Sequence, residues 1–579
     1  MKRYILYSLS GLAALSAHSQ NTSNENVSPN ILLIVVDDMG FSDTQPFGGE
    51  IQTPHINRLA EQGIRFTRFH TSSLSAPTRA MLLTGVDNHQ NGLGIMPPLH
   101  AENQYMQPGY EGGINQRVMT LAEVLHENNY YTCMAGKWHL GAQKGNIPSE
   151  RGFEQSFTML GGGAGHFCHS FALSDSEQPV TFYLDNGKKV DKLPDDFYST
   201  RYYTDKMIEY LRKCPQDKPF FGYLAFTAPH DPLQIIPEWK DREKGTYDCG
   251  YDSIRSARLE RQKQMGLIPA QTPDTSLSNP FRQWNKLSEE QQKEQSRKME
   301  IYASMIEYVD YSIGRVLEEL EKEHKLDNTL VLFMSDNGAN PKEPESYPGN
   351  TKEIIQERYD NQLENYGNSN SFISLGEAWA EVCNTPYSLY KMTTHEGGIC
   401  VPLIISGKNI IQKGSIDHTT LLHVTDLFPT ILEYTHTQRP SSYGHTTLAP
   451  LYGKSFAQRL TDANASPIRT SNDALCFEMK EDKAVIQGKW KAVQLIPPHG
   501  DGTTWKLYNL ETDLAEQNDL SEVYPEKLKE LIKLWKEYAK SVGYIPSDKS
   551  MTIQRIGAAA FYQYKTITPP TITPFHRSG

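Results

Sequence analysis

Short, wholly apolar runs recur along the chain at residues 31–36, 220–226, 330–334 and 403–405. Runs of that length without polar alternation predict strands buried on both faces, as in a parallel sheet. Helical patterns separate them. The clearest opens on a capping box, Ser288 with Gln291 three residues on, and continues through Tyr302, Ile306, Val309, Ile313 and Val316, the spacing of one buried helix face. Strands alternating with helices predict an α/β domain around a largely parallel sheet. The stretch 437–453, rich in Pro, Ser, Thr and Gly, reads as a domain junction. Beyond it, 484–486 and 490–495 read as hairpin strands around Gly488-Lys489, and 528–538 as an amphipathic helix. The expected divisions are a large domain over 28–445, a smaller C-terminal α+β subdomain with an antiparallel sheet over 446–545, and an extended tail with repeated Thr-Pro over 546–579.

Unusual polar residues fall at the ends of these apolar runs. Asp37-Asp38 closes the first, Lys137 and His139 follow the short run 131–135, His230 follows 220–226, and Asp336-Asn337 ends 330–334. In open α/β sheets, ligands bind just outside the carboxyl ends of the strands. An Asp after a strand is commonly a turn or helix cap, and a lone His or Lys is commonly structural or solvated. Independent caps have no reason to repeat at four strand ends, so the pattern predicts one cluster. Three carboxylates and an amide oxygen make a hard donor set suited to Ca²⁺ or Mg²⁺. Arg79, Lys137, His139, His230 and Lys391 around them suit an anionic ester. A metal and cations around a tetrahedral oxyanion is what phosphoryl or sulfuryl transfer requires.

Composition changes this picture little. The 579 residues are 38% hydrophobic and 22% charged, an ordinary globular profile, and the formal net charge of −12 argues against a nucleic-acid binder. The first residues matter more. Lys2-Arg3, an apolar stretch over 5–17 and Ala17-His18-Ser19 before Gln20 read as a cleaved export signal over 1–19, placing the mature protein in the periplasm or outside the cell. That stretch is too short to span a bilayer, and no later segment reaches that length. No cysteine lies near the cleavage site to carry a lipid. The seven cysteines lack metal-type spacing, and their odd number leaves at least one unpaired.

Ser75-Ala76-Pro77-Thr78-Arg79, with Ala80 to Gly85 after it, resembles the type I sulfatase signature (Cys or Ser)-x-Pro-x-Arg and its Leu-Thr-Gly continuation. It coincides with Asp37-Asp38-Met39-Gly40, Gly136-Lys137-Trp138-His139-Leu140-Gly141, Ala228-Pro229-His230, Ser335-Asp336-Asn337-Gly338, and Lys391 through His395-Glu396-Gly397-Gly398, all in the family's order. Pro108-Gly109-Tyr110-Glu111-Gly112 and the segment Asn384-Thr385-Pro386-Tyr387-Ser388-Leu389-Tyr390-Lys391 resemble the bacterial arylsulfatase branch typified by the Pseudomonas enzyme. Two departures stand out. Serine occupies position 75 where many relatives have cysteine, and Cys400 stands where arginine is common.

The resemblance implies an alkaline-phosphatase-like fold and hydrolysis of sulfate esters. It implies that Ser75 is oxidised to Cα-formylglycine by a radical-SAM sulfatase-maturing enzyme that accepts serine, acting before export. Asp37, Asp38, Asp336 and Asn337 correspond to the protein ligands of one Ca²⁺, with residue 75 completing the set. By the same correspondence Arg79 holds the aldehyde hydrate and Asp336 accepts the proton of its attacking hydroxyl. Lys137 binds sulfate oxygens, His230 and Lys391 serve the leaving oxygen, and His139 takes the second hydroxyl's proton so that sulfate is expelled. A plain serine lacks that second hydroxyl. The arylsulfatase-like segments favour small phenolic or steroid sulfates. Two rivals share these features: a phosphate or phosphonate ester hydrolase of the alkaline phosphatase superfamily, and an idle binder of sulfated glycans.

Overall fold

The computed structural model describes residues 28–548 apart from 98, 175–181, 276 and 278–282; the export signal and most of the tail read from the sequence lie outside the described residues. Among the described residues one sheet of ten strands runs through the large domain: β1 (Asn30–Val36), β2 (Gly63–Phe66), β3 (Tyr131–Lys137), β4 (Gln155–Met159), β5 (Tyr183–Asp185), β6 (Lys188–Lys189), β7 (Phe220–Ala225), β8 (Thr329–Ser335), β9 (Leu403–Ser406) and β10 (Ser415–Asp417). Their order is β10-β2-β9-β8-β1-β7-β3-β4-β5-β6. The five central strands β8-β1-β7-β3-β4 are parallel. Helices α1 (Ser75–Thr84), α2 (Ser199–Lys213), α3 (Gly250–Gln264) and α4 (Glu289–Lys322) cover its two faces.

β1 shows why an unbroken apolar run was needed. Leu32, Ile34 and Val36 enter the core beneath α4 with Met299, Ile306 and Ile313, whereas Ile31, Leu33 and Val35 enter the opposite core with Ala80, Leu82 and Leu83 of α1. Both pleat faces are dry, so no position can be polar. The capping box holds as read: Ser288 Oγ accepts the Gln291 amide and the Gln291 side chain accepts the Ser288 amide, at the head of a 34-residue helix.

One strand runs against expectation. β9, read as parallel, is antiparallel to both its neighbours, with Leu403 opposite Met334 and Ser406 opposite Val331. Its chain arrives from the 384–400 segment, which already lies over the carboxyl edge, so the strand can only run back down. The serine motif itself opens a helix, with Ser75 its first residue and Leu74 its cap.

Gly136 in β3 has φ +118, and a Cβ there would lie 1.8 Å from the Ala225 carbonyl oxygen of β7. Only glycine permits that approach, which sets the direction in which Lys137 leaves the sheet.

Beyond the large sheet, β11 (Ala474–Met479), β12 (Asp482–Gln487), β13 (Trp490–Gln494) and β14 (Lys506–Asn509) form a four-stranded antiparallel sheet under α5 (Pro525–Val542). Buried charge ties it to the large domain. Lys491 of β13 reaches Glu396 Oε1 at 2.7 Å and Glu516 Oε1 at 2.9 Å, while Glu396 Oε2 meets His70 Nε2 at 2.9 Å. A second clamp sets His89 between Asp87 Oδ1, at 3.0 Å, and Glu478 Oε2, at 2.8 Å, with the Tyr538 hydroxyl donating to Asp87. None of the seven cysteines is paired.

Burial opposes a charge on His89, but its hydrogen bonds to Asp87 and Glu478 outweigh it and raise the imidazole to about 9. That lies above an unfolded histidine at about 6.5, so the clamp stabilises fully below about pH 6.5 and loses its contribution as pH rises through about 9. Thermal unfolding followed from pH 6 to 10 should show stability falling over that window, and His89→Gln should flatten the fall. A profile unchanged by the substitution would show that the clamp is uncharged.

Candidate active site

Every side chain that the strand-end pattern singled out arrives at the carboxyl edge of β1, β3, β7 and β8. Asp37 and Asp38 follow β1, and Asp38 takes a left-handed φ of 66° that turns the chain across the edge. Tyr302 of α4 holds that turn, donating to the Asp38 carbonyl at 3.2 Å and to Asp43 Oδ2 at 2.7 Å. Arg258 of α3 binds Asp43 Oδ1 at 2.7 Å. Lys137 ends β3, and Asp336-Asn337 follows β8.

The Ser75 hydroxyl is the hub. It donates to Asp336 Oδ2 and accepts from Lys137 Nζ at 2.9 Å and Arg79 Nε at 3.2 Å, with Asp37 Oδ1 3.3 Å away. One donor and two acceptor positions are thereby all used. Arg79 stands one helical turn beyond Ser75, so both share a face of α1. Its guanidinium also meets Asp336 Oδ2, at 2.9 Å from Nε and 2.7 Å from Nη2. The uncapped start of α1 points its positive dipole at the same place.

Beside this hub, Lys137 Nζ lies 2.7 Å from Asp37 Oδ2, and Lys391 Nζ lies 2.7 Å from both oxygens of Asp38. Burial alone would raise the Asp37 carboxyl, yet Lys137 and His230 hold it below the usual range; Lys391 and His230 do the same for Asp38. Burial lowers Lys137, whereas Asp38 outweighs burial at Lys391 and raises it, so Lys391 keeps its proton firmly. His230 Nε2 is 3.3 Å from Asp38 Oδ2 and its Nδ1 is 2.9 Å from the Asp231 carbonyl oxygen. A carbonyl only accepts, so Nδ1 carries hydrogen and the imidazole donates toward Asp38 only as imidazolium. Burial pushes His230 down, and His166 fixes its backbone by meeting the His230 carbonyl oxygen at 3.0 Å.

His139 has a left-handed φ of 58°, and its buried Nδ1 has no hydrogen-bond partner among the described residues. Burial, then Lys137 and Arg79, lower it well below an ordinary histidine and keep it neutral. Gly162 covers this ring so closely that a Cβ would fall 2.7 Å from Cε1.

The sequence also left participants unread. Tyr223, hidden in an apolar strand run, places its hydroxyl 3.4 Å from Arg79 Nη1. Its one possible signal was a phenol amid residues facing a dry core. Cys400, where arginine is common, lies buried with Sγ 3.3 Å from the Tyr387 hydroxyl, and the neighbouring carboxylate Glu396 takes its cation from Lys491.

A model of the sulfatase family matches residues 29–437. This chain belongs to the sulfatase family. An uncharacterized sulfatase of Schizosaccharomyces pombe is 39% identical over 549 residues, covering 93% of this chain and 98% of that one. The arylsulfatase of Klebsiella aerogenes is 40% identical over 457 residues, covering 79% and 96%. Among solved structures, Ps i-CgsB in complex with k-i-k-neocarrahexaose shares the fold, with a TM-score of 0.63 at 24% identity over 93% of this chain and 99% of that one. The protein is a sulfuric ester hydrolase.

The donor set of this sulfatase fits a hard divalent cation. Oxygens of Asp37 and Asp38 and a His230 nitrogen lie within 4.8 Å of one another, and Asn337 Oδ1 is buried without a hydrogen-bond partner among the described residues. Asn337 Nδ2 meanwhile donates to Asp38 Oδ1 at 2.6 Å, holding the amide against the carboxylates. Three carboxylates here face three cations, Arg79, Lys137 and Lys391, so a divalent ion would leave the site positive and receptive to an anion. Adding calcium to chelator-stripped protein should raise its melting temperature, and Asp38→Ala should abolish that rise. An equal rise in the variant would place the binding elsewhere.

Proposed function

We propose that the protein hydrolyses aryl-type sulfate esters, phenolic or steroid, with Ser75 converted to Cα-formylglycine and one Ca²⁺ held by Asp37, Asp38, Asp336 and Asn337 beside residue 75. The observation that carries this reading is the convergence of Arg79, Lys137 and Asp336 on one side-chain oxygen at position 75. When in place, the aldehyde hydrate supplies the attacking oxygen and a second hydroxyl, and the cation supplies charge toward the sulfate oxygens.

The chain's own residues do the rest. Arg79 and Lys137 orient the oxygen of residue 75, and Lys137 extends to a sulfate oxygen. Asp336, already the acceptor of that hydroxyl, takes its proton as the oxygen attacks sulfur. Lys391, firmly protonated, donates to the departing oxygen, and His230 beside it assists that oxygen only when it carries a second proton, a form that burial disfavours. His139, neutral and free at Nδ1, takes the second hydroxyl's proton so that sulfate leaves and the aldehyde returns. We further propose export after maturation by a radical-SAM enzyme that accepts serine.

Protein from a host lacking serine-type maturation should fold and bind calcium but turn over nitrophenyl sulfate more than ~10²-fold more slowly than matured protein, the scale lost with one catalytic group. Ser75→Ala should be inactive from every host, and Ser75→Cys should gain activity where a cysteine-type maturing enzyme is present. The mass of the residue-75 peptide, read beside the rate, checks each preparation. Equal rates from unmodified and modified protein would replace this chemistry with a serine route.

A further inference from the structure

Among the described residues, two lysines at the rim of this site, unused by the chemistry above, have no carboxylate contact. Lys342 follows Asp336 by six residues on the segment leaving β8. Its ammonium, half-buried, sits 4.4 Å over the Tyr347 ring. Burial, then Lys391 and Lys480, push it down to about 8. The carboxyl on that side, Asp231, is a weak counter-charge: its Oδ2 takes donors from Tyr347, Ser374 and Asn340, and burial raises it to about 7.

Lys480 comes from the other domain. It occupies the two-residue turn between β11 and β12, where Met479 pairs with Asp482 and both Lys480 and Glu481 have positive φ, 55° and 73°. Such a turn favours Asn-Gly, and two residues bearing Cβ atoms are held there only against their preference. Glu481 is turned away to Tyr544 and Ser547. Met479 packs with Leu74 and Met392, the neighbours of Ser75 and Lys391, which brings Lys480 to the rim. Asp482, the carboxylate whose charge acts on Lys480, is engaged by the Ile496 amide and raised by burial to about 7.

An apolar wall stands beside these cations. Phe171, Leu173, Tyr347 and Phe372 pack as one cluster. A Cβ on Gly163 would meet Leu173 Cδ1 at 2.5 Å and His230 Cε1 at 3.2 Å, so the wall begins beside the residue assigned to the leaving oxygen.

We propose that Lys342 and Lys480 form a second anion subsite on the leaving-group side, so that the preferred substrate is an aromatic or similarly flat sulfate ester whose alcohol portion carries a further carboxylate or sulfate. This rests on the sulfate-ester reading and narrows its substrate class. The wall takes the apolar body and the lysines its distal charge; with no carboxylate contact among the described residues, both ammonium groups can pair with the ligand.

The test compares phenyl sulfate, 4-carboxyphenyl sulfate and 1,4-phenylene disulfate on matured wild-type protein, Lys342→Gln, Lys480→Gln and the double variant. The double variant should raise KM for the two dianionic esters about tenfold, the scale of a charged hydrogen bond, and leave phenyl sulfate within about twofold. Lys342→Arg should retain the wild-type preference, which a packing defect would not allow. A larger effect on one dianion identifies whether carboxylate or sulfate is the natural second charge. Equal changes for all three esters, or none, would overturn the subsite. If no ester is hydrolysed by matured wild-type protein, the activity reading fails by itself. Calorimetric binding of the same three compounds to wild-type and double-variant protein then decides the subsite: selective weakening of the dianions upholds it, and parallel affinities reject it.

Discussion

The burial of charge governs this molecule. Asp37, Asp38 and Asp336 are fully enclosed at the edge of a parallel sheet, as are Arg79 and Lys137, with Lys391 nearly so. A lone buried ion costs several kcal/mol, so each must be matched within hydrogen-bonding distance. That requirement draws in α1 through Ser75 and Arg79, β3 through Lys137, the 384–395 segment through Lys391, and α3 and α4 through Arg258 and Tyr302, which brace the Asp38 turn through Asp43. The surrounding sheet is dry on both faces because only a rigid frame keeps such charges from relaxing onto water.

The same logic recurs one layer out. Glu396 begins the turn whose Gly398 carbonyl accepts the Gly338 amide at 3.2 Å, next to Asp336-Asn337. Its carboxylate is satisfied by His70 and by Lys491 of the C-terminal sheet. The smaller sheet therefore helps to hold the turn beside the charged cluster, although among the described residues none of its own touches Ser75. The His89 clamp holds the same sheet through Glu478, two residues before the β11–β12 turn.

Position 75 is more heavily engaged than a helix-start serine needs to be. A serine at the first position of a helix is unremarkable. Here its oxygen is engaged by two cations and a carboxylate, far more than a cap requires.

The chain's local patterns by themselves determined the parallel core from unbroken apolar runs, the start of α4 from its capping box and the hairpin beyond 453 from two strand runs around Gly488-Lys489, although α4 is buried all round from Met299 to Asp310 rather than along one stripe. The residues at the strand ends were legible for the same reason: a strand's last position is set by its own length. Ser75 and Lys391 lie away from any strand end, and only resemblance pointed to them. Tertiary structure decided the rest. It reversed β9, because the direction of a strand depends on where its preceding segment has been pinned. It set Tyr223, Gly162 and Lys491 beside groups distant in sequence, and it aimed Lys480 through a turn whose consequence lies in another domain. Those relations exist only between segments, and no local pattern of apolar and polar residues can encode a distance across the fold.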